Sequence, residues 1–516
     1  MSVHGGTIST GNCNFEFLQL FVLSHCVTLT SLSMRSLQRT TLFRFAVVLV
    51  FGCLLNSCEL GQVNYAPESI TDHEQYKDYG ENPFVETSVE AVSTFSIDVD
   101  QGSYTNIRRM IESGTKPPAE AVRIEEMINY FRFDYPAPTG NDPVAISTEL
   151  TACPWAPEHR LIHIGLKAKD IPVEQLPPSN LVFLIDVSGS MSQELPLLKD
   201  AFKELTNHLR DDDKIALVTY AGDDRIVLPS TSGKERAKIL AAIDQLSSGG
   251  GTAGAAGIQT AYAEAHKGFI EGGNNRVILA TDGDFNIGVS SDEELIKMIE
   301  AKRDLGIHLT TLGVGYGNYM EVKMEQMADH GNGNYFYLDN LAEAKRVMVG
   351  QMTGTLYLLA KDVKVQVEFD RAVVKSYRLI GYENRKLENE DFENDKKDAG
   401  DMGVGHTVTA IYEIIPQNVA TIGAPTIHFS LRYKEPEGET SKLLTSTLNY
   451  SNANTESTNA RFASSVVEFG LILRDSKHKG TSNLENVVSR ASASLSFDAH
   501  ERQGFIDLVT RYRQLR

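Results

Sequence analysis

The chain has 516 residues, with 49 Lys and Arg against 68 Asp and Glu, and a formal net charge of −19. This length predicts several domains, each with a core of its own. With 41% hydrophobic and 23% charged residues, the composition excludes a largely disordered chain. The acidic balance argues against a nucleic-acid partner, since binding to phosphates needs clustered Lys and Arg.

The segment that begins at Met34 has the charge and hydropathy pattern of an export signal. Three arginines supply positive charge at its start, and residues 45–55 form an apolar stretch that is too short to span a bilayer. We therefore expect export from the cytoplasm, with an uncleaved N-terminal anchor helix as the alternative. Residues 1–33 precede this complete signal, and we expect them to reflect an over-extended start.

The apolar stretch ends in Leu55–Cys58, which resembles a bacterial lipobox, the motif whose cysteine receives lipid. We expect a signal peptide over 1–57 and lipid on Cys58, with Cys53 as a less suitable competing site. Only Cys153 would then remain as a thiol, which excludes a disulfide framework. These features predict a lipid-anchored protein of the bacterial cell envelope, held at a membrane surface outside the cytoplasm.

Residues 58–90 are polar and aperiodic, so they predict a flexible tether after the lipidated cysteine. An α+β N-terminal domain is expected over 91–178. Hydrophobic periodicity predicts its elements: a strand at 94–100, helices at 104–111 and 122–130, and strands at 144–150 and 161–166.

Strands and helices alternate over residues 179–352. Leu181–Ile185 is a continuous apolar run, as expected for a parallel strand that is covered on both faces. The next helix carries apolar residues at three- and four-residue steps from Leu195 to Leu209. The alternation predicts a central, doubly wound, mostly parallel α/β sheet of the Rossmann-like kind. Its further predicted elements are strands at 215–220, 277–281, 307–312 and 335–338 and helices at 237–246, 254–266 and 295–305.

The period changes to two over residues 353–516, where alternating apolar residues predict strands at 363–369, 407–415 and 427–433. Two helices, at roughly 460–474 and 499–515, end the chain. We expect this part to form a β-rich C-terminal domain that ends in helices.

A set of oxygen-bearing side chains follows the strands of the α/β region. Asp186, Ser188 and Ser190 come at the end of its first strand, Asp282 ends another apolar strand, and Thr252 lies on a glycine-rich loop. Ligands of such sheets bind at the carboxyl ends of the strands. Three hydroxyls and two carboxylates suit a hard cation such as Mg²⁺, and not zinc or copper. The alternative is an ordinary helix N-cap, because Asp and Ser are also preferred there.

The pattern Asp-x-Ser-x-Ser, a distant Thr and an Asp followed by Gly resembles the metal-ion-dependent adhesion site of von Willebrand factor type A domains. The resemblance implies that Ser188 and Ser190 bind Mg²⁺ directly, with Mn²⁺ and Ca²⁺ as alternative ions. It implies that Thr252 does so in an open state, and that Asp186 and Asp282 act largely through water. An acidic side chain of a protein partner would then complete the octahedron around the ion.

Four longer segments resemble a bacterial family of lipoproteins with such a domain, the YfbK-like family. Ser93–Asp100 and Val122–Phe131 are similar to its N-terminal region, and Lys397–Gly400 with Gly405–Glu413 are similar to its C-terminal domain. The resemblance covers most of the chain beyond the signal and implies its architecture more firmly than its function.

These observations predict a non-enzymatic, Mg²⁺-dependent protein-binding lipoprotein. A structural scaffold of the envelope with a silent metal site is the second hypothesis. A metal-assisted phosphohydrolase that uses Asp98, Asp100 or Asp186 is the third, and it is disfavoured because no general base or phosphate-binding Lys accompanies these carboxylates. Asp98 and Asp100 are expected to face solvent or to cap a turn, and a cation site at this pair is the alternative.

Overall fold

The computed structural model describes residues 76–250, 254–283, 292–315, 321–351, 357–417, 426–450 and 456–515. The predicted signal, Cys58 and Thr252 lie outside these ranges. The described strands, numbered in chain order, are β1 Val85–Glu86, β2 Val92–Ser96, β3 Val144–Ala152, β4 Arg160–Ala168, β5 Ser179–Asp186, β6 Lys214–Tyr220, β7 Asp224–Ser232, β8 Asn274–Thr281, β9 Ile307–Gly313, β10 Tyr335–Tyr337, β11 Leu358–Glu368, β12 Val374–Ile380, β13 Lys386–Leu387, β14 Gly400–Gly403, β15 Thr407–Pro416, β16 Thr426–Lys434 and β17 Lys442–Asn449.

The described α-helices lie between and after these strands and are numbered in the same way. They are α1 Gly102–Glu112, α2 Ile124–Asn129, α3 Leu195–His208, α4 Arg236–Asp244, α5 Gly254–Gly268, α6 Asp292–Arg303, α7 Glu321–His330, α8 Leu341–Lys345, α9 Thr458–Leu473, α10 Leu484–Ser492 and α11 Ala499–Gln514. None of the helices in the described ranges is long and apolar enough to cross a membrane.

The central α/β sheet has the strand order β10-β9-β8-β5-β6-β7. All of its neighbouring strands are parallel except β7, which pairs antiparallel with β6. The apolar run of β5 is fully buried because helices cover both faces of the sheet. The chain leaves β5 toward β6 on one side and later returns to β8 on the other. This reversal of strand order beside β5 is the place where such sheets bind ligands.

The segments before and after the α/β domain form two shared antiparallel sheets. One sheet has the order β1-β12-β15-β4-β3 and the other has the order β13-β2-β11-β16-β17. Apolar side chains of both sheets pack against each other in one core. We call this assembly, with its helices, the flanking module. The expectation of separate domains at 91–178 and 353–516 therefore does not describe how these strands pair.

Helices from both ends of the chain form a second core of the flanking module. Side chains of α1 and α2 pack there against α9, α10 and α11. Trp155, the single tryptophan of the chain, is fully buried in this core. The apolar faces of the two predicted terminal helices thus pack against helices that lie more than three hundred residues earlier in the sequence.

Partly buried ion pairs join the flanking module to the α/β domain. Arg385 contacts Asp98 and Asp100 of its own module at 2.8 Å and 3.4 Å. It also contacts Glu325 and Asp329 of α7 at 3.2 Å and 2.9 Å. Asp100 is only 3% exposed. The expectation that Asp98 and Asp100 face solvent or cap a turn is therefore wrong, because both serve this contact between domains.

Candidate metal site at the edge of the central sheet

Asp186 is the last residue of β5 and is fully buried at the edge of the sheet. Its Oδ1 accepts a hydrogen bond from the backbone N–H of Ser188 at 2.8 Å. Its Oδ2 accepts one from the hydroxyl of Thr281, the last residue of the neighbouring strand β8, at 3.2 Å. Hydrogen bonds from the turn after β5 and from the end of β8 therefore hold both carboxylate oxygens in place.

The hydroxyls of Ser188 and Ser190 follow this carboxylate by two and four positions in the chain. Ser188 is 2% exposed, whereas Ser190 is exposed at the start of a short 3₁₀ turn. The two hydroxyls are hydrogen-bonded to each other, with their Oγ atoms 3.0 Å apart. Adjacent vertices of an Mg²⁺ octahedron with bonds of about 2.1 Å are separated by about 3.0 Å. The serine pair therefore fits two neighbouring positions around such an ion, with Ser190 on the solvent side.

A glycine-rich loop is fixed against this serine turn by two backbone hydrogen bonds. Gly249 donates to the carbonyl of Val187 at 2.7 Å, and Gly189 donates to the carbonyl of Gly250 at 3.2 Å. Gly250 has a φ of +99°, and a Cβ there would lie 3.4 Å from the side chain of Ala221. Only glycine adopts this conformation without strain. Thr252, two residues further along, lies outside the described residues.

Asp282 follows β8 directly and is half-buried on the same edge, as predicted from its position after the strand. The hydrogen-bonded pairing of β5 with β8 places it beside Asp186. Burial raises the pKa of Asp186, and the charge of Asp282 raises it further, although hydrogen bonds from Ser188 and Tyr220 lower it. Two carboxylates thus share a partly buried site, which favours a bound cation.

Glu194, which the sequence analysis missed, is a third carboxylate on this edge. It is half-buried at the start of α3, and its Cγ lies 3.4 Å from the position that a Cβ on Gly315 would take. The Cβ of Asp282 lies 3.4 Å from the same position. An acidic residue eight positions after Asp186 was the only signal in the sequence, and acidic residues are common at helix starts.

The charge of this edge is acidic. Among the described residues, no basic side chain forms an ion pair with Asp186 or Glu194. Nor does any group of three or more His, Cys, Asp or Glu side chains in the described ranges have an arrangement that would hold a metal ion by itself. A cation at this edge would therefore depend on the serine hydroxyls for direct contact, with the carboxylates acting through water.

Comparison with family models assigns most of the chain. The model described as von Willebrand factor type A domain matches residues 180–349. The model described as the C-terminal part of the uncharacterized protein YfbK matches residues 354–429 and 423–515, and one described as von Willebrand factor matches residues 70–163.

Curated bacterial proteins are among those similar to this chain. The uncharacterized protein YfbK of Escherichia coli (strain K12) is 41% identical over 462 residues, which cover 84% of this chain and 80% of that protein. The uncharacterized protein sll0103 of Synechocystis sp. is 30% identical over 186 residues, 36% of this chain and 43% of that protein.

Solved structures give weaker matches. The von Willebrand factor type A protein from Catenulispora acidiphila is 17% identical, with a TM-score of 0.40 over 72% of this chain and 91% of that chain. The ArnB paralog VWA2 from Sulfolobus acidocaldarius is 14% identical, with a TM-score of 0.36 over 73% of this chain and 98% of that chain. These scores are too low to support an inference about the site.

Proposed function

Because the chain belongs to the YfbK family of von Willebrand factor type A domain proteins, we propose that it is a non-enzymatic binding protein that captures a partner protein through a divalent cation. The domain family itself indicates a role in protein interaction or adhesion. The observation that carries the proposal is the pair of Ser188 and Ser190 hydroxyls, hydrogen-bonded at 3.0 Å, in the turn whose backbone N–H binds the buried Asp186.

Each residue of the set has a distinct task. Ser188 and Ser190 would contact the ion directly, and Thr252 would join them in an open state. Asp186 and Asp282 would hold water molecules that belong to the ion, which we propose to be Mg²⁺, with Mn²⁺ and Ca²⁺ as alternatives. Hydroxyls and water leave the positive charge of the ion largely uncompensated, so it attracts a carboxylate from a partner.

The burial of the site determines the side from which a partner approaches. Asp186 and Ser188 are closed off by the sheet, whereas Ser190 and Gly189 are exposed. A partner carboxylate would therefore arrive over the exposed serine turn. We further propose that lipid on Cys58 holds the protein at a membrane of the bacterial cell envelope, so that this turn is presented outside the cytoplasm.

Phosphohydrolase chemistry has no comparable support. Asp98 and Asp100 are paired with Arg385, and Asp100 also accepts the backbone N–H of Tyr335, the first residue of β10, at 2.9 Å. Asp100 thus lies at the start of β10, whereas Asp186 lies at the carboxyl end of β5. These carboxylates are not brought together with Asp186 as a catalytic group.

A pull-down tests the proposal. Full-length tagged protein, purified from membranes, is incubated with envelope extract in Mg²⁺ or in EDTA, beside the Ser190→Ala and Thr252→Ala variants. Ser192→Ala is the matched control, because Ser192 is also exposed but lies outside the set. We expect recovery in Mg²⁺ that EDTA removes, and a loss of about 5- to 150-fold in affinity for the site variants. Equal recovery in EDTA would refute the proposal and favour a scaffold with a silent site.

A further inference from the structure

A cleft with a volume of about 860 Å³ lies between the flanking module and the starts of strands β8 and β9. This edge of the central sheet is opposite to the edge that carries Asp186, because β5, β8 and β9 are parallel. Ligand pockets often lie between domains and have volumes of about 300–1,000 Å³. The cleft is therefore large enough for a small molecule, and Asp186, Ser188 and Ser190 do not line it.

The wall formed by the α/β domain carries positive charge. Arg276 of β8 is 4% exposed, and its Nη1 donates a hydrogen bond to the hydroxyl of Thr310 at 2.7 Å. His308 of β9 is its neighbour in the sheet register, and its Nδ1 is buried without a hydrogen-bond partner among the described residues. Burial and the charges of Arg276 and Arg303 lower the pKa of His308 to about 3, against the backbone of Gly331. The histidine is therefore a neutral group that can form a hydrogen bond with a ligand.

The wall formed by the flanking module carries negative charge. Asp401 of β14 is half-buried there, and its Oδ1 accepts the backbone N–H of Asp362 at 3.2 Å. Asp362 pairs with Lys434 at 2.6 Å, and Asp398 lies 4.0 Å from Arg303. No ion pair of Asp401 is found in the described ranges, although burial and the charges of nearby carboxylates raise its pKa to about 7. Asp401 is therefore a carboxylate without the cation that its neighbours have.

Together the two walls favour a ligand that carries both charges. An anion alone would be repelled by Asp398 and Asp401, and a cation alone would be repelled by Arg276. Arg385 also lines the cleft, but four carboxylates already surround it. We propose that the cleft binds a small zwitterion, a free amino acid or a short peptide, whose carboxylate contacts Arg276 and His308 and whose ammonium group contacts Asp401. This site is independent of the proposed cation site.

Isothermal calorimetry on the full-length protein tests the proposal, with the standard L-amino acids, dialanine and trialanine as probes. We expect saturable binding of free amino acids or of the peptides, and the comparison identifies which of the two the cleft takes. The N-acetyl derivative of the bound probe lacks the ammonium charge, and its amide lacks the carboxylate. Each should bind about 10- to 150-fold more weakly, because each loses a charged hydrogen bond. Absence of binding by every probe, or equal binding of the derivatives, would overturn the proposal.

Substitutions on each wall test the location of the site. Arg276→Gln and Asp401→Asn should each weaken binding of the probe by about 10- to 150-fold. Asp401→Asn should unfold at a temperature no lower than the wild type, because burial already favours the neutral acid at this position. Arg225→Gln is the matched control, since Arg225 is an exposed arginine at the opposite edge of the same sheet, and it should bind as the wild type does. A folded Asp401→Asn variant with unchanged affinity for the probe would overturn the proposal.

Discussion

Replacing Glu126 with Gln is expected to stabilise the protein at pH 8 far more than at pH 5. Glu126 is 3% exposed in α2, and its Oε2 accepts the backbone N–H of Ser103 at 2.9 Å. Burial is the main cause that raises its pKa to about 7, and the charges of Glu325 and Glu125 add to this against the opposing effect of Arg123. The folded protein therefore prefers the neutral acid, which a glutamine side chain imitates.

The sign and size of the effect follow from the raised pKa. With a folded pKa of about 7 against an ordinary value of 4.5, the stability contributed by the neutral form is complete below pH 4.5. It is lost as the pH rises through 7. The raised pKa therefore lowers the free energy of unfolding by less than about 1 kcal/mol at pH 5 and by about 3 kcal/mol at pH 8. Glu126→Gln should therefore raise the free energy of unfolding by about these amounts at the two pH values.

Urea unfolding, followed by the fluorescence of Trp155, provides the measurement, because this single tryptophan lies in the same core as α2. Glu125→Gln is the matched control. Burial tends to raise the pKa of Glu125, but the Arg123 guanidinium at 2.8 Å and hydrogen bonds bring it below its ordinary value. The control should lose about 3 kcal/mol at both pH values. An unchanged pH profile for Glu126→Gln would refute this reasoning.

Three further predictions concern other parts of the chain. Arg385→Met should lower the free energy of unfolding by about 3–5 kcal/mol in the same urea assay, because four carboxylates lose their shared cation. Gly250→Ala should lower the free energy of unfolding by about 1–2 kcal/mol, because the position has a positive φ. It should also weaken Mg²⁺ binding in calorimetry, and unchanged values of both would show that the loop is not fixed by this glycine. Cys58→Ser should abolish labelling by a fatty-acid probe, and equal labelling of both proteins would exclude lipid at this cysteine.

Much of the α/β domain could be predicted from its sequence, because each strand and helix there has a clear period. The continuous apolar run of β5 and the stripe from Leu195 to Leu209 both gave the correct element. Strand β7 was missed. It lies at the edge of the sheet, has a mixed exposure pattern and contains Pro229, so neither alternation nor a continuous apolar run marks it.

The flanking module could not be predicted from local patterns. Strand β2 pairs with β11 in the register Phe95–Val365, across about 270 residues of chain. Periodicity shows that each segment is a strand, but it does not show which strands pair. For the same reason the expected boundaries at 178 and 353 do not show that the two outer segments share sheets.

Part of the candidate site was also within reach of sequence reasoning. Asp186 and Asp282 follow apolar strands, and parallel strands end at one edge, so their proximity was a sound expectation. Glu194 was not within reach. Its position beside Asp282 depends on the path of the loop after β9, where Gly315 leaves room for both side chains.

A crystal structure of the protein grown with Mn²⁺, with anomalous diffraction recorded to locate the ion, tests directly whether Ser188 and Ser190 hold a cation. We expect one anomalous peak at the end of β5, in direct contact with the hydroxyls of Ser188 and Ser190, at about 2.1–2.2 Å. The carboxylate of Asp186 should lie behind them and reach the ion through water. Crystals with saturating Mn²⁺ that show no peak at this edge, and in which the two hydroxyls are hydrogen-bonded only to each other, would refute the proposed cation site.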